Sequence, residues 1–442
     1  MPAPEPGLPR RLGLLSATAL VVGSAIGSGI FRSPAAIADQ LPGPAALLGV
    51  WAVAGAFALA GALTLAEIAG ALPRTGGLYA FIAAGWGRLP AFLFGWAQLV
   101  LIRAAALGAI ATTFAEYACR LAGAPPQGPV VRIVAAAALA VTATTNILGV
   151  RFGAAVQNLT TAAKYFGLLF IVAVALIVGL PRTGGHFTPA APAGSFGWAP
   201  FGLALVAALW AYDGWADLSF VAGEVRDPRR TLPRALIGGA ILIIAVYLAA
   251  NVAYLAVLPV AEIRHSKLVA ADAAARLLGA GGVTFVALTV VLSTFGTLNA
   301  SLLTTPRVFF AMGEDRLFFQ GVAAVHPRFR TPWVAIGLAA VLGIAFVLVQ
   351  TFEQLADTFV TANLPFYALA VAAIFPLRRQ PGYDPAFRVP GYPVVPCLFV
   401  AAVLFLLGNA IADPASRWRT LAVLGVVAAG APVYWATVGR RR

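Results

Sequence analysis

Apolar residues in this chain come in long unbroken runs, about 20 residues each, the length that crosses a bilayer as a helix. Charges, prolines and glycine clusters bound the runs, and twelve windows are predicted: near 12–31, 44–70, 90–118, 130–150, 158–180, 198–222, 235–258, 282–311, 332–350, 355–376, 393–412 and 419–437. The connection at 259–281 carries Glu262, Arg264, Lys267, Asp272 and Arg276 in a helix-like pattern and is expected to hold a short surface helix.

Two windows are interrupted in a way that carries chemistry. The first reads Val22-Gly23-Ser24-Ala25-Ile26-Gly27-Ser28-Gly29-Ile30-Phe31. Gly23 and Gly27 suit a small-residue packing face, and glycines flanking a serine equally suit an unwound stretch with exposed amides. The sixth reads Leu209-Trp210-Ala211-Tyr212-Asp213-Gly214-Trp215, placing an acid and a glycine in an apolar span. Ionisable groups there are costly and usually functional, so Asp213 is a candidate substrate contact as well as a helix cap. Five spans separate the two interruptions, and breaks at matching places in two halves point to an inverted-repeat transporter with a midplane site. The amino ends of half-helices offer N–H groups to an anion and their carboxyl ends offer carbonyls to a cation, which together suit a zwitterionic amino acid.

Composition narrows the class. The chain is 61% hydrophobic and 10% charged, against roughly a quarter charged in soluble domains. A net charge of +14 would suggest nucleic acid in a soluble protein, but most of the 30 basic residues sort to one side of a twelve-span arrangement, where they set orientation with both termini inside. The terminal Arg440, Arg441 and Arg442 read as a juxtamembrane anchor to anionic lipid. Arg10 and Arg11 precede an apolar run ending in Ala36-Ile37-Ala38, a signal-peptide pattern, yet glycines interrupt the run and a retained first helix fits better. Cys119, Cys397 and three histidines supply no metal-ligand spacing, so no cofactor or metal is expected. No G-x-S-x-G, H-E-x-x-H or phosphate loop supports an enzyme, and no filter or ring of like charge supports a channel. Only two basic residues are lysines, Lys164 and Lys267, and Lys164 lies inside a span.

Here the residues resemble a known family. Gly23 to Phe31 is similar to the G-x-x-I-G-S-G-I-F signature of amino acid permeases in the amino acid, polyamine and organocation superfamily. Ala66-Glu67 through Pro73-Arg74-Thr75-Gly76-Gly77 and Tyr79 resembles the second helix and loop of that family. Tyr212-Asp213-Gly214-Trp215 with Gly223-Glu224-Val225, Asp227-Pro228-Arg229 and Leu232-Pro233-Arg234 resembles the sixth helix of its L-type branch, and Phe295-Gly296-Thr297-Leu298-Asn299 through Arg307 the eighth. The resemblance implies an all-α, leucine-transporter-type fold: a first five-helix repeat over 12–180, an inverted one over 198–376, two accessory helices over 393–437, and helices 1 and 6 broken at midplane.

The resemblance also assigns a site. Ala25, Ile26, Gly27, Ser28 and Gly29 would bind substrate, the Ser28 and Gly29 amides holding a carboxylate. Carbonyls near Ala25 and across Trp210, Ala211, Tyr212 and Asp213 would hold the amine, Gly214 would belong to the same substrate-binding stretch, and Trp210 falls where relatives often have a closing phenylalanine. Lys164 would replace a sodium ion, partnered by the carbonyls of Gly23 and Ile26 and the Thr297 hydroxyl; snorkelling to the interface is the other reading of this lysine. Glu67 is expected as a packing partner, Asn299, Ser301, Thr304 and Thr305 as cross-helix glue, and Tyr247 and Asn363 as pocket lining. Arg103 and Glu116 do not pair along one helix face and receive no role.

The expected function is sodium-independent transport of small neutral amino acids, by exchange or with protons, in a bacterial inner membrane. A cationic amino acid or polyamine carrier is the alternative, since Asp213 stands where other L-type members have glycine. Expected partners are the amino acid and the lipid bilayer, with no nucleic acid. External loops carry no cysteine placed for the disulfide that joins some relatives to an ancillary chain, so no obligatory subunit is expected.

Overall fold

The computed structural model describes residue 10 and residues 12–148, 150–304, 306–318, 320–324, 326–329 and 331–438. Thr305, Arg11 and the arginines at 440–442 lie outside them. Among the described residues the chain is all helical, with one isolated parallel bridge between Leu12 and Val225.

Nine of the described helices are long and apolar enough to cross a membrane: Pro44–Ala71, Arg88–Leu121, Pro129–Leu148, Ala162–Thr183, Pro228–Val257, Val269–Glu314, Phe352–Leu377, Val394–Ala412 and Arg417–Thr437. A bent pair, Leu14–Ala25 and Gly29–Gln40, meets at 42° and counts as a tenth if taken as one span. Two further windows hold shorter helices, Trp198–Tyr212 and Trp333–Val349. The 259–281 connection is shorter than its charge pattern suggests. A short helix, Val260–His265, is followed by a helix that starts at Val269 and turns at Gly279, where φ is +61°.

The two interruptions have local causes. After Ala25 the backbone of Ile26 leaves the helix (ψ 92°), and helix resumes at Gly29. In the sixth window Asp213 is extended (ψ 151°), Gly214 takes φ +103°, which a Cβ would strain, and the chain continues as a 3-10 turn over Asp217–Glu224. Gly23 stays in the first half-helix and Gly27 falls in the unwound stretch, and the glycines at the breaks also allow close packing. A Cβ on Gly29 would lie 2.3 Å from Ala211 Cα, and one on Gly214 would lie 2.7 Å from the Ala25 nitrogen. Each break is seated in the other.

Candidate functional site

Unwinding a buried helix strands its peptide groups, because the last carbonyls and first amides of each half lose their partners. Those groups define the site. The Gly23 carbonyl accepts from Lys164 Nζ at 2.6 Å, and the Ile26 carbonyl from the same ammonium at 2.8 Å. Thr297 Oγ1 is its third neighbour at 3.3 Å. Lys164 is 0% exposed, so its charge points inward and does not snorkel. The Tyr247 hydroxyl bridges both breaks, 2.7 Å from the Ala25 carbonyl and 2.8 Å from that of Ala211. Among the described residues no acceptor takes the amides of Gly27, Ser28 or Gly29. The site therefore has bare amides on one side and carbonyls with spare lone pairs on the other.

The sixth-window residues surround this backbone. Trp210 packs edge-on against Phe352 and Phe359, at 6.0 and 5.2 Å between ring centroids, and its buried indole N–H has no partner among the described residues. Tyr212 donates to the Trp51 carbonyl at 3.0 Å, a packing bond directed away from the amides. The Asp213 amide reaches back to the Trp210 carbonyl at 3.4 Å, while its carboxylate accepts from the Tyr367 hydroxyl. Asn363 lies beside them, with its buried Oδ1 lacking a donor.

Several polar groups acquire partners that one-helix reasoning could not supply. Arg103 follows a π turn, Gln98–Ile102, a helix defect common at functional positions. It pairs with Asp217 at 3.6 Å, both side chains under a tenth exposed, and its Nε donates to Gln98 Oε1 at 3.1 Å. Glu116 pairs with Arg32 at 2.5 Å, and Arg32 also reaches Glu353 at 3.1 Å while stacking over the Phe352 ring at 4.4 Å. This cluster sits in a cavity of about 870 Å³ whose walls include Arg264 and Lys267 and which extends to Trp210. Other polar pairs join the ends of different helices. Glu67 accepts from Arg378 at 2.8 and 2.6 Å and from the Val389 amide at 2.6 Å, Glu224 pairs with Arg307 at 3.2 Å, and Tyr79 donates to Asp315 at 2.7 Å. Asn299 accepts from Asn146 across helices at 2.9 Å, whereas Thr304 bonds back to Ala300 in its own helix at 3.1 Å.

A family model for amino acid permeases matches residues 12–431. The chain belongs to the amino acid permease family. The permease is 35% identical over 440 residues to the serine/threonine exchanger SteT of Bacillus subtilis, covering 98% of each chain. It is 32% identical to human b(0,+)-type amino acid transporter 1, with 97% of this chain and 88% of the relative aligned. It is 30% identical to human large neutral amino acids transporter small subunit 2, at 97% and 80% coverage. Relatives of this kind are transporters, in keeping with a helical membrane protein and against an enzyme.

The last relative corrects one expectation. A chain of this family, aligned over nearly all of the permease, is itself named a small subunit, so the family includes chains that work within a larger assembly. The lack of a suitably placed cysteine bears only on a covalent link and says nothing of non-covalent association.

Proposed function

We propose that the permease is a sodium-independent secondary transporter of small neutral amino acids, working by alternating access as an exchanger or with protons. The observation that carries the reading is the Lys164 ammonium held by the carbonyls of Gly23 and Ile26, a fixed cation at the break where, on the family resemblance, other carriers hold sodium. The unpartnered amides of Ser28 and Gly29 would take the substrate carboxylate. The Ala25 and Ala211 carbonyls, each sharing the Tyr247 proton, keep lone pairs for the amine. The relative named a serine/threonine exchanger supports small polar side chains.

Counting the bent pair, Trp198–Tyr212 and Trp333–Val349 as spans would give the twelve that this reading calls for, with inverted repeats over 12–180 and 198–376 and accessory helices over 393–437 as part of the proposal. The arginine distribution supports a reading with both termini in the cytoplasm of a bacterial cell, in which the 870 Å³ cavity would face out.

Counterflow in sodium-free proteoliposomes, competed with serine, threonine, alanine, leucine, arginine and putrescine, tests this. The expected result is competition by the small neutral substrates with no effect of added sodium. The partly exposed Asp213 carboxylate, with no basic side chain paired to it among the described residues, favours a second reading as a cationic amino acid carrier. Competition by arginine or putrescine alone would establish that reading instead.

A further inference from the structure

Beyond Lys164, the site holds two acidic groups and one guanidinium in close quarters. Arg103 is committed to Asp217. Asp213 is left with a hydroxyl donor, Tyr367, on the Phe352–Ala372 helix. The other titratable groups facing it are few. Tyr247 is bonded to the Ala25 and Ala211 carbonyls, Tyr212 to the Trp51 carbonyl, and from the Pro44–Ala71 helix only Phe57 reaches the same small cavity. An ionised Asp213 is therefore a charge without a counter-charge of its own, an expensive state within a span.

The second observation comes from the acceptor side. Asn363 is 4% exposed, and its Oδ1 has no donor among the described residues. A buried acceptor without a partner is rare in folded proteins, because it forfeits the water it had when unfolded. Asn363 and Asp213 line the same small cavity, of about 10 Å³, close to the space for a single water. The donor missing from this corner is one that a carboxylic acid can supply, directly or through one water, and a carboxylate cannot.

We propose that Asp213 is a proton-binding site of the transport cycle, taking up one proton when a neutral amino acid binds, with Asn363 accepting from the protonated carboxyl. The proposal rests on the reading of the two breaks as an amino acid site. The proton comes from water and returns to water when substrate leaves, so no other reactant is involved. Asn363 and Tyr367 act in opposite senses: the amide oxygen favours the protonated form and the phenol the ionised one.

Trp210 and Trp215 flank Asp213 in the chain, so serine binding to the purified full-length permease can be followed by tryptophan fluorescence between pH 5 and 9. One linked proton makes the serine Kd rise about tenfold per pH unit above the titration of the carboxyl. Asp213→Asn is expected to bind serine with a Kd that is flat with pH. Asn363→Leu is expected to move the wild-type profile to lower pH and Tyr367→Phe to higher pH, which keeps the test available if Asp213→Asn does not fold. A purely structural role for these residues would change affinity without moving the profile in opposite directions. A pH slope that persists in Asp213→Asn overturns the assignment by placing the proton elsewhere, Asp217 and Lys164 being nearby buried titratable groups. Serine binding by the wild type that is independent of pH also overturns it, while leaving the amino acid site intact. Absence of amino acid binding at every pH removes both readings.

Discussion

Replacing Lys164 with methionine keeps an apolar stem of the same length up to Cε, with sulfur in place of the δ-methylene, and removes the ammonium. Two carbonyls, Gly23 and Ile26, then lose their charged donor. The Ile26 carbonyl keeps the Ser293 hydroxyl at 3.4 Å, so the acceptor left unsatisfied is that of Gly23, at a cost of about 1–3 kcal/mol. Against this, the wild type bears the desolvation of a fully buried ammonium, itself several kcal/mol. The Thr297 hydroxyl is not stranded, since it still donates to the Ser293 carbonyl at 3.0 Å. Terms of opposite sign and similar size leave little net change in stability, and the melting temperature is expected to shift by only a few degrees. Transport responds differently, because the ammonium fixes where the broken backbone points its carbonyls. Hydrogen bonds to charged groups contribute about 1.5–3 kcal/mol each. If half of two such bonds goes into aligning the break, losing it slows counterflow about 100-fold, equivalent to about 2.7 kcal/mol. The assay is counterflow at matched protein density, with thermal unfolding and gel filtration run alongside. Wild-type counterflow by a stably folded Lys164→Met variant would refute the reasoning.

Two other substitutions follow from the packing and the charges. Gly29→Ala drives a methyl to within 2.3 Å of Ala211 Cα, so it is expected to abolish transport or lower the melting temperature sharply, whereas Gly238→Ala, with nothing within 4 Å, leaves both unchanged. At the cavity, Glu116→Gln should slow counterflow several-fold and Glu353→Gln very little, because the first carboxylate is 16% exposed and the second 67%. Equal effects from the two, measured at low and high salt, would count against Arg32 being anchored mainly on Glu116.

Glycine and charge inside apolar runs were the legible parts of the site. Gly27-Ser28-Gly29 and Asp213-Gly214 stand out because a span has few reasons to carry them, and the structure breaks the helix at both. Lys164 was conspicuous because lysine is otherwise almost absent. What stayed hidden depends on which helix faces meet. Arg103 looked unpaired because its partner, Asp217, sits on a 3-10 segment that an apolar window reads as plain helix. Glu116 was invisible for the same reason, its partner Arg32 being read only as the end of the first span. The rule that intramembrane charges find counter-charges could have flagged both pairs. Register within the spans was also beyond reach: the turn at Gly279 inside the Val269–Thr304 helix has no signal stronger than one glycine among several. Cysteine count misled on assembly, since it addresses only one kind of attachment.

The partners of the first break also bear on how the chain is made. The carbonyls freed near residue 25 are satisfied by Lys164, 141 and 138 positions later, and by Tyr247, 222 positions later. Synthesis runs from the amino end, so the opening span enters the bilayer with bare peptide groups long before the side chains that cover them exist. Until the seventh window is inserted, this span is an incomplete object in hydrocarbon. Its unwound form is stable only in the finished bundle, so in the nascent chain residues 23–29 must be continuous helix or be sheltered by the insertion machinery. On the first alternative the break forms only as Lys164 and then Tyr247 arrive to cover its carbonyls.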